Sequence, residues 1–188
     1  MKNFITAFYF RNAKLVLRLS IILIFLLYSI SSSFAEERIK SITLGGMLLD
    51  RDKFYLIDAN LDRIKSSNYN SITLIVDWYV DNYLDPKILP RYPGEPFPET
   101  DWFRPTLTHQ EIVQIAEKAR VRDLDVILKM HVDCLDWPFG GKGRYAIKPN
   151  GVLWDHYMHF AIDTAKIAKK INAKLLIIGT ETNKLAKD

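Results

Sequence analysis

The stretch Ser71-Ile72-Thr73-Leu74-Ile75-Val76-Asp77-Trp78 decides the fold. It is β-branched and almost continuously apolar, the composition of a strand buried on both faces. Its start follows a turn-prone Ser66-Ser67-Asn68, and its end is polar and aromatic. A strand covered on both faces belongs to a parallel sheet with helices packed against it.

Working outward, the same grammar repeats. Upstream, Arg38–Leu44 forms a short strand candidate closed by Gly45-Gly46, and Asp58–Ser67 carries Leu61 and Ile64 at helical spacing. Downstream, Thr108-His109-Gln110-Glu111 is a capping box, in which the Thr hydroxyl and the Glu carboxylate each satisfy an orphan amide. The helix it opens has an apolar stripe of Ile112, Ile115, Ala116 and Ala119. Leu124–Met130 is a third strand. Trp154–Ile171 is a helix expected to bury Tyr157, Ala161, Ala165 and Ala168. Lys174–Ile178 is a fourth strand. The order β-α-β-α-β-α-β predicts an α/β fold with a parallel sheet. A curled barrel and a doubly wound sheet both satisfy that order. Against the second, Gly45-Gly46-Met47 is no dinucleotide fingerprint, and no phosphate-binding P-loop occurs.

Two connections are long. Tyr79–Thr106 holds six of the eight prolines, Pro86, Pro90, Pro93, Pro96, Pro98 and Pro105, and His131–Gly151 is the second. Loops of that length are mostly functional, and these are expected to lie outside the core.

Charge separates the chain into two parts. Residues 1–35 carry Lys2, Arg11, Lys14 and Arg18 and no acidic residue; removing these four from the 26 basic residues leaves 22 against 22 acidic. A neutral body gives no electrostatic basis for nucleic-acid binding. Within the leader, Leu19–Ile30 is an apolar core of about 12 residues, short of the roughly 20 that a membrane span needs. Ser33-Phe34-Ala35 then fits a small-x-small cleavage site. Residues 1–35 are therefore expected to be a cleaved signal peptide, and 36–188 the exported domain, secreted or held in the periplasm or cell envelope. An uncleaved anchor, lengthened by Leu15-Val16-Leu17, is the competing reading. Membrane contact is expected only through this leader. Cys134 is the single cysteine, which excludes an intrachain disulfide and a cysteine-based metal site. No triad signal makes it a nucleophile.

In parallel α/β folds chemistry gathers at the carboxyl ends of the strands. There the sequence places Asp77-Trp78-Tyr79, His131-Val132-Asp133 and Thr180-Glu181. Aromatic residues crowd the adjoining loops: Tyr83, Tyr92, Trp102, Phe103, Trp137, Phe139 and Tyr145. Carboxylates beside flat aromatic platforms suit a sugar, which offers apolar C–H faces and rings of hydroxyls. Plainer roles stand beside these. Asp77 serves equally as a turn cap, Trp78 and Trp102 as core packing, and Glu181 as a solvated terminal residue. His131 reads as a hydrogen-bonded pocket residue rather than a metal ligand. His156 and His159, with Tyr157 between them, read as an ordinary helix face rather than a zinc site.

Residues 39–181 resemble the start of a glycoside hydrolase TIM barrel, closest to the family 113 β-mannanase-like group. The resemblance rests on Asn70-Ser71-Ile72-Thr73-Leu74, Leu128-Lys129-Met130-His131-Val132-Asp133 and Ile177-Ile178-Gly179-Thr180-Glu181. It implies a partial (β/α)8 barrel of about four βα units, with Glu181 as general acid/base. Asp77, Trp78, His131, Asp133 and Trp137 would contact substrate. It implies no cofactor and no metal. A retaining glycosidase pairs its acid/base with a nucleophilic carboxylate roughly 5–5.5 Å away. Relatives carry that nucleophile on the seventh strand, and no residue of this chain matches it. Thr180 also departs from the Asn that many such barrels place before the acid/base. The expectation is a secreted retaining glycoside hydrolase of β-mannan-type substrates, truncated before its nucleophile. A non-catalytic carbohydrate-binding or vestigial fragment is the alternative. An open half barrel is further expected to self-associate or to bind a complementing half.

Overall fold

The computed structural model describes residues 38–44, 51–85, 87–96, 104–136, 146–147 and 150–179. The leader and the Thr180–Asp188 tail, and with them the expectations for a signal peptide and for Glu181, lie outside the described residues. So does Trp137.

Among the described residues four strands and three helices alternate: β1 (Ser41–Leu44), α1 (Ile57–Ser66), β2 (Ser71–Val80), α2 (His109–Arg120), β3 (Asp125–Cys134), α3 (Gly151–Lys170) and β4 (Leu175–Ile177). A 3-10 turn, Arg51–Leu56, leads directly into α1; nothing in the sequence pattern announced it. All strand pairs are parallel, and their order across the sheet is β1-β2-β3-β4. A doubly wound sheet reverses direction at a switch point. This sheet instead advances one strand at a time, as a barrel wall does. Among the described residues no helix is long and apolar enough to cross a membrane.

Strand parity divides the sheet into two faces, because successive side chains point to opposite sides. Even-numbered residues of β1, β2 and β3 (Ile42, Leu44, Ile72, Leu74, Val76, Val80, Val126, Leu128, Met130, Val132) join one core with the helices. The helices contribute Leu61 and Ile64, then Ile112, Ile115, Ala116 and Ala119, then Leu153, Phe160, Ile167 and Ala168. Odd-numbered residues face the other side, which in a barrel is the lumen. There Ser41 and Thr43 stand beside Thr73, and the Ser41 and Thr73 hydroxyls share a 2.8 Å hydrogen bond.

Helix starts follow local chemistry. Thr108 accepts from the Glu111 amide at 3.2 Å, and Glu111 Oε2 accepts from the Thr108 amide at 2.7 Å, so the capping box is formed as read. Such a cap stabilises by about 1 kcal/mol. Asn150 Oδ1 accepts from the Leu153 amide at 2.8 Å and starts α3 three residues before the expected Trp154.

Helix ends share one device. Asn68, Asp123 and Asn172 each take a left-handed conformation, with φ of 63°, 51° and 51°. After each, the next amide reaches back to the last helical turn: Tyr69 to Ile64 O, Leu124 to Ala119 O, and Ala173 to Ala168 O. This is the Schellman arrangement, which satisfies orphan carbonyls and turns the chain toward the next strand.

The structure corrects three expectations. First, β2 runs to Val80 rather than Trp78 and β3 to Cys134 rather than Met130, so His131 and Asp133 stand within a strand and not just beyond it. Second, α3 buries Leu153, Phe160, Thr164, Ile167 and Ala168; Ala165 is exposed, and Tyr157 and Ala161 are half-buried. Thr164 fits the core because its hydroxyl donates to Phe160 O at 2.8 Å. Third, the proline-rich connection does enter the core, through Ile88 and Thr106.

That connection also closes an edge. Among the described residues β1 pairs with β2 as far as Leu74, and the upper part of β2 meets the connection instead. There Tyr79 and Leu89 exchange two backbone hydrogen bonds of 2.8 and 2.9 Å, as an antiparallel bridge. Thr106 continues the strap: its hydroxyl donates to Asp77 O at 2.7 Å and accepts from the Arg91 amide at 2.9 Å, and its own amide donates to Arg91 O at 2.6 Å. An unpaired edge invites foreign strands, and the loop removes this stretch from reach.

Candidate functional site

Parity builds the site. Asp77 and His131 are register partners on adjacent strands, as are Tyr79 and Asp133. All four are odd-numbered and share the lumen face at the carboxyl end of the sheet. His131 Nδ1 lies 2.7 Å from Asp77 Oδ1 and 3.5 Å from Asp133 Oδ2. A carboxylate only accepts, so this nitrogen carries hydrogen and donates to Asp77. In the neutral ring Nε2 is then the accepting nitrogen. The three side chains are 13%, 21% and 16% exposed for His131, Asp77 and Asp133, which is buried enough to fix their geometry and open enough to be reached.

Tyr79 is the member that sequence reasoning missed as a site residue. It is almost fully buried, and its hydroxyl donates to Arg104 O at 2.5 Å. Burial pushes its phenol far above the usual range, and the Asp77 and Asp133 carboxylates add to that. It therefore stays protonated, with its one hydrogen given to Arg104 O. The signal was available: Tyr79 follows Asp77 by two residues, the spacing that keeps a strand's side chains on one face.

The same rule separates Trp78 from the group. It points to the helix side, 8% exposed, and stacks on Phe160 with ring centroids 4.5 Å apart and planes 14° from parallel. Adjacent strand residues cannot both line the lumen, so the structure does not bring Trp78 to Asp77. Asp77, His131 and Asp133 are brought together; Trp137 and Glu181 lie outside the described residues.

The other candidates have ordinary settings. His156 Nδ1 donates to Ile88 O at 3.1 Å, which ties α3 to the connection after β2. Cys134 is buried, and its thiol donates to Asp136 Oδ1 at 2.8 Å. Burial first, and then Asp136, push that thiol up to about 12.

The donor set admits two kinds of ligand. Two carboxylates and an imidazole can accept and donate hydrogen bonds around a ring of sugar hydroxyls. One donor atom from each of Asp77, His131 and Asp133 also lies within 4.8 Å of the others, a grouping that could hold a divalent cation. The sequence reading had not assigned these residues to a metal.

The sequence matches no family model and none of the curated proteins. Solved structures do match. The GH113 β-mannanase AaManA from Alicyclobacillus acidocaldarius, in complex with ManMIm, aligns over 80% of this chain and 47% of its own, with 22% identity and a TM-score of 0.61. A GH113 β-1,4-mannanase aligns over 77% and 46%, with 20% identity and a TM-score of 0.60. A complex of a GH113 β-1,4-mannanase aligns over 68% and 40%, with 17% identity and a TM-score of 0.54. The chain thus shares the fold of these structures over the aligned part. It spans less than half the length of the solved structures it matches.

Proposed function

We propose that this chain is the N-terminal part of a (β/α)8 barrel from a secreted glycoside hydrolase that acts on β-mannan-type substrates by retention. The observation that supports this best is the Asp77–His131–Asp133 cluster on the lumen face of a singly wound parallel sheet. In this reading those side chains hold sugar hydroxyls, and Tyr79, on the same face, has its hydroxyl committed to Arg104 O. Glu181, which follows the fourth strand in sequence, protonates the glycosidic oxygen. The nucleophilic carboxylate comes from a complementing half, in cis or from another chain. The leader directs export.

The test is hydrolysis of manno-oligosaccharides by the full chain and by Glu181→Gln, alone and with a complementing half barrel supplied. Turnover is expected to fall by about a hundredfold or more without the acid. Equal turnover by both proteins removes Glu181 from the mechanism. Binding without turnover under every condition would leave the second reading, a carbohydrate-binding fragment.

A further inference from the structure

Outside the lumen, one cavity of about 250 Å³ opens on the helix side of the sheet, between α3 and the connection after β2. Trp78, Pro90, Tyr92, His159, Ile162, Asp163 and Lys166 line it. Trp78 forms its apolar floor, held flat by Phe160 behind it. Along α3, positions 159, 162, 163 and 166 follow one another at helical spacing and present a wall of alternating chemistry.

The cavity is built rather than incidental. Leu89, just before Pro90, is locked to β2 through its two hydrogen bonds with Tyr79. Arg91, between Pro90 and Tyr92, is locked through both backbone groups to Thr106 and pairs through its guanidinium with Asp81. The Tyr92 amide donates to Glu95 Oε2 at 3.1 Å in a turn closed by Gly94, whose φ of 90° suits glycine. Asp163 is held from the other side by His109 Nε2 at 2.8 Å. The backbone that carries Tyr92 and the carboxylate of Asp163 are therefore placed before any ligand arrives, which lowers the ordering cost of binding.

The lining selects a class of ligand. Its volume falls just below the roughly 300–1,000 Å³ of drug-sized pockets, which suits one small ring. A phosphate would call for concentrated positive charge, yet Lys166 and His159 are balanced by Asp163. A hard divalent cation would call for several oxygen ligands, and the lining offers a single carboxylate. A purely apolar ligand would strand the polar ends of Tyr92, His159, Asp163 and Lys166. Aromatic and aliphatic surface interleaved with one acceptor and two donors fits a ring with an apolar face and hydroxylated edges.

We propose that this cavity is a second carbohydrate-binding site, which takes one pyranose ring of an oligosaccharide outside the lumen. Tyr92 and Pro90 face the C–H side of the sugar, and Asp163, His159 and Lys166 take its hydroxyls. It rests on the reading of the chain as carbohydrate-active, but not on catalysis. Trp78 thereby acquires a carbohydrate role in a different place from the one its sequence position suggested.

The experiment is a titration of the 15N-labelled full chain with mannotriose, cellotriose and xylotriose, followed by amide shifts. Saturable shifts at His159, Ile162, Asp163 and Lys166 are expected with at least one sugar. Tyr92→Ala should weaken that response about threefold to tenfold, the value of one aromatic contact. Lys166→Ala, an exposed change with little bearing on folding, should weaken it as well. In an Asp77→Asn/His131→Ala double variant the α3 response should persist. Absence of α3 shifts with all three sugars overturns the proposal. So does their disappearance in the lumen variant, or their indifference to both Tyr92→Ala and Lys166→Ala. A silent lumen with an intact α3 response counts against the proposed function alone.

Discussion

Thr106→Val is the most informative single change outside the lumen. Thr106 is 1% exposed and joins the strap to the site strand. Valine keeps its shape but loses the donor to Asp77 O and the acceptor for the Arg91 amide. A buried polar group left without its partner costs about 1–3 kcal/mol, and two are affected here. Some relaxation toward water at the sheet edge reduces the sum, so the expected loss is about 2–4 kcal/mol. Thr106→Ser retains both hydrogen bonds and deletes one methyl group, for a loss of about 1 kcal/mol. With a urea slope of about 2 kcal/mol per molar, the valine variant should unfold about 1–2 M earlier than wild type, and the serine variant about 0.5 M earlier. Amide exchange locates the damage: Leu89 and Tyr79 should lose protection in Val and keep it in Ser. The reasoning is refuted if Val and Ser unfold together, or if Val is destabilised while Leu89 exchanges as slowly as before.

Two further outcomes follow from titration. With its thiol pushed up to about 12, Cys134 is protonated at pH 8 and should resist alkylation by iodoacetamide in the native chain, then react fully in urea; rapid native labelling would contradict the burial. Asp58 is held below its usual 3.8 chiefly by the Lys118 hydrogen bond, with burial opposing and Arg122 adding attraction. A depressed carboxyl contributes stability that is complete above 3.8 and lost as pH falls through the lowered value, so Lys118→Met should flatten the acid side of the stability curve below that pH. An unchanged curve would show the exposed pair contributes nothing measurable.

Much of the fold was legible because it is governed by nearest neighbours. The Thr108–Glu111 box fixes the start of α2 within four residues, and the stripe Ile112, Ile115, Ala116, Ala119 is buried throughout. The β-branched run 71–76 fixes β2. What was misread depends on partners distant in sequence. The upper halves of β2 and β3 pair with each other through Val80 and Cys134, although their compositions turn polar at Asp77 and His131. Ala165 looked like core by composition, while Thr164 took the core position because its own helix satisfies its hydroxyl. Of the candidate site, Asp77, His131 and Asp133 were found by their place at strand ends. Tyr79 was passed over and Trp78 included because strand ends were read as clusters, where parity sorts them into opposite faces.

The three left-handed residues, Asn68, Asp123 and Asn172, carry one consequence for how such a sheet can change. At the lower rim the chain solves the same junction three times with the same local rule, and in each the returning backbone bond goes to its own helix end. At the upper rim every connection differs in length and content. Folding information is thus concentrated below and chemical identity above. A connection on the upper rim can be exchanged without renegotiating the junctions beneath it, much as a keyboard keeps its frame when the keys are relabelled.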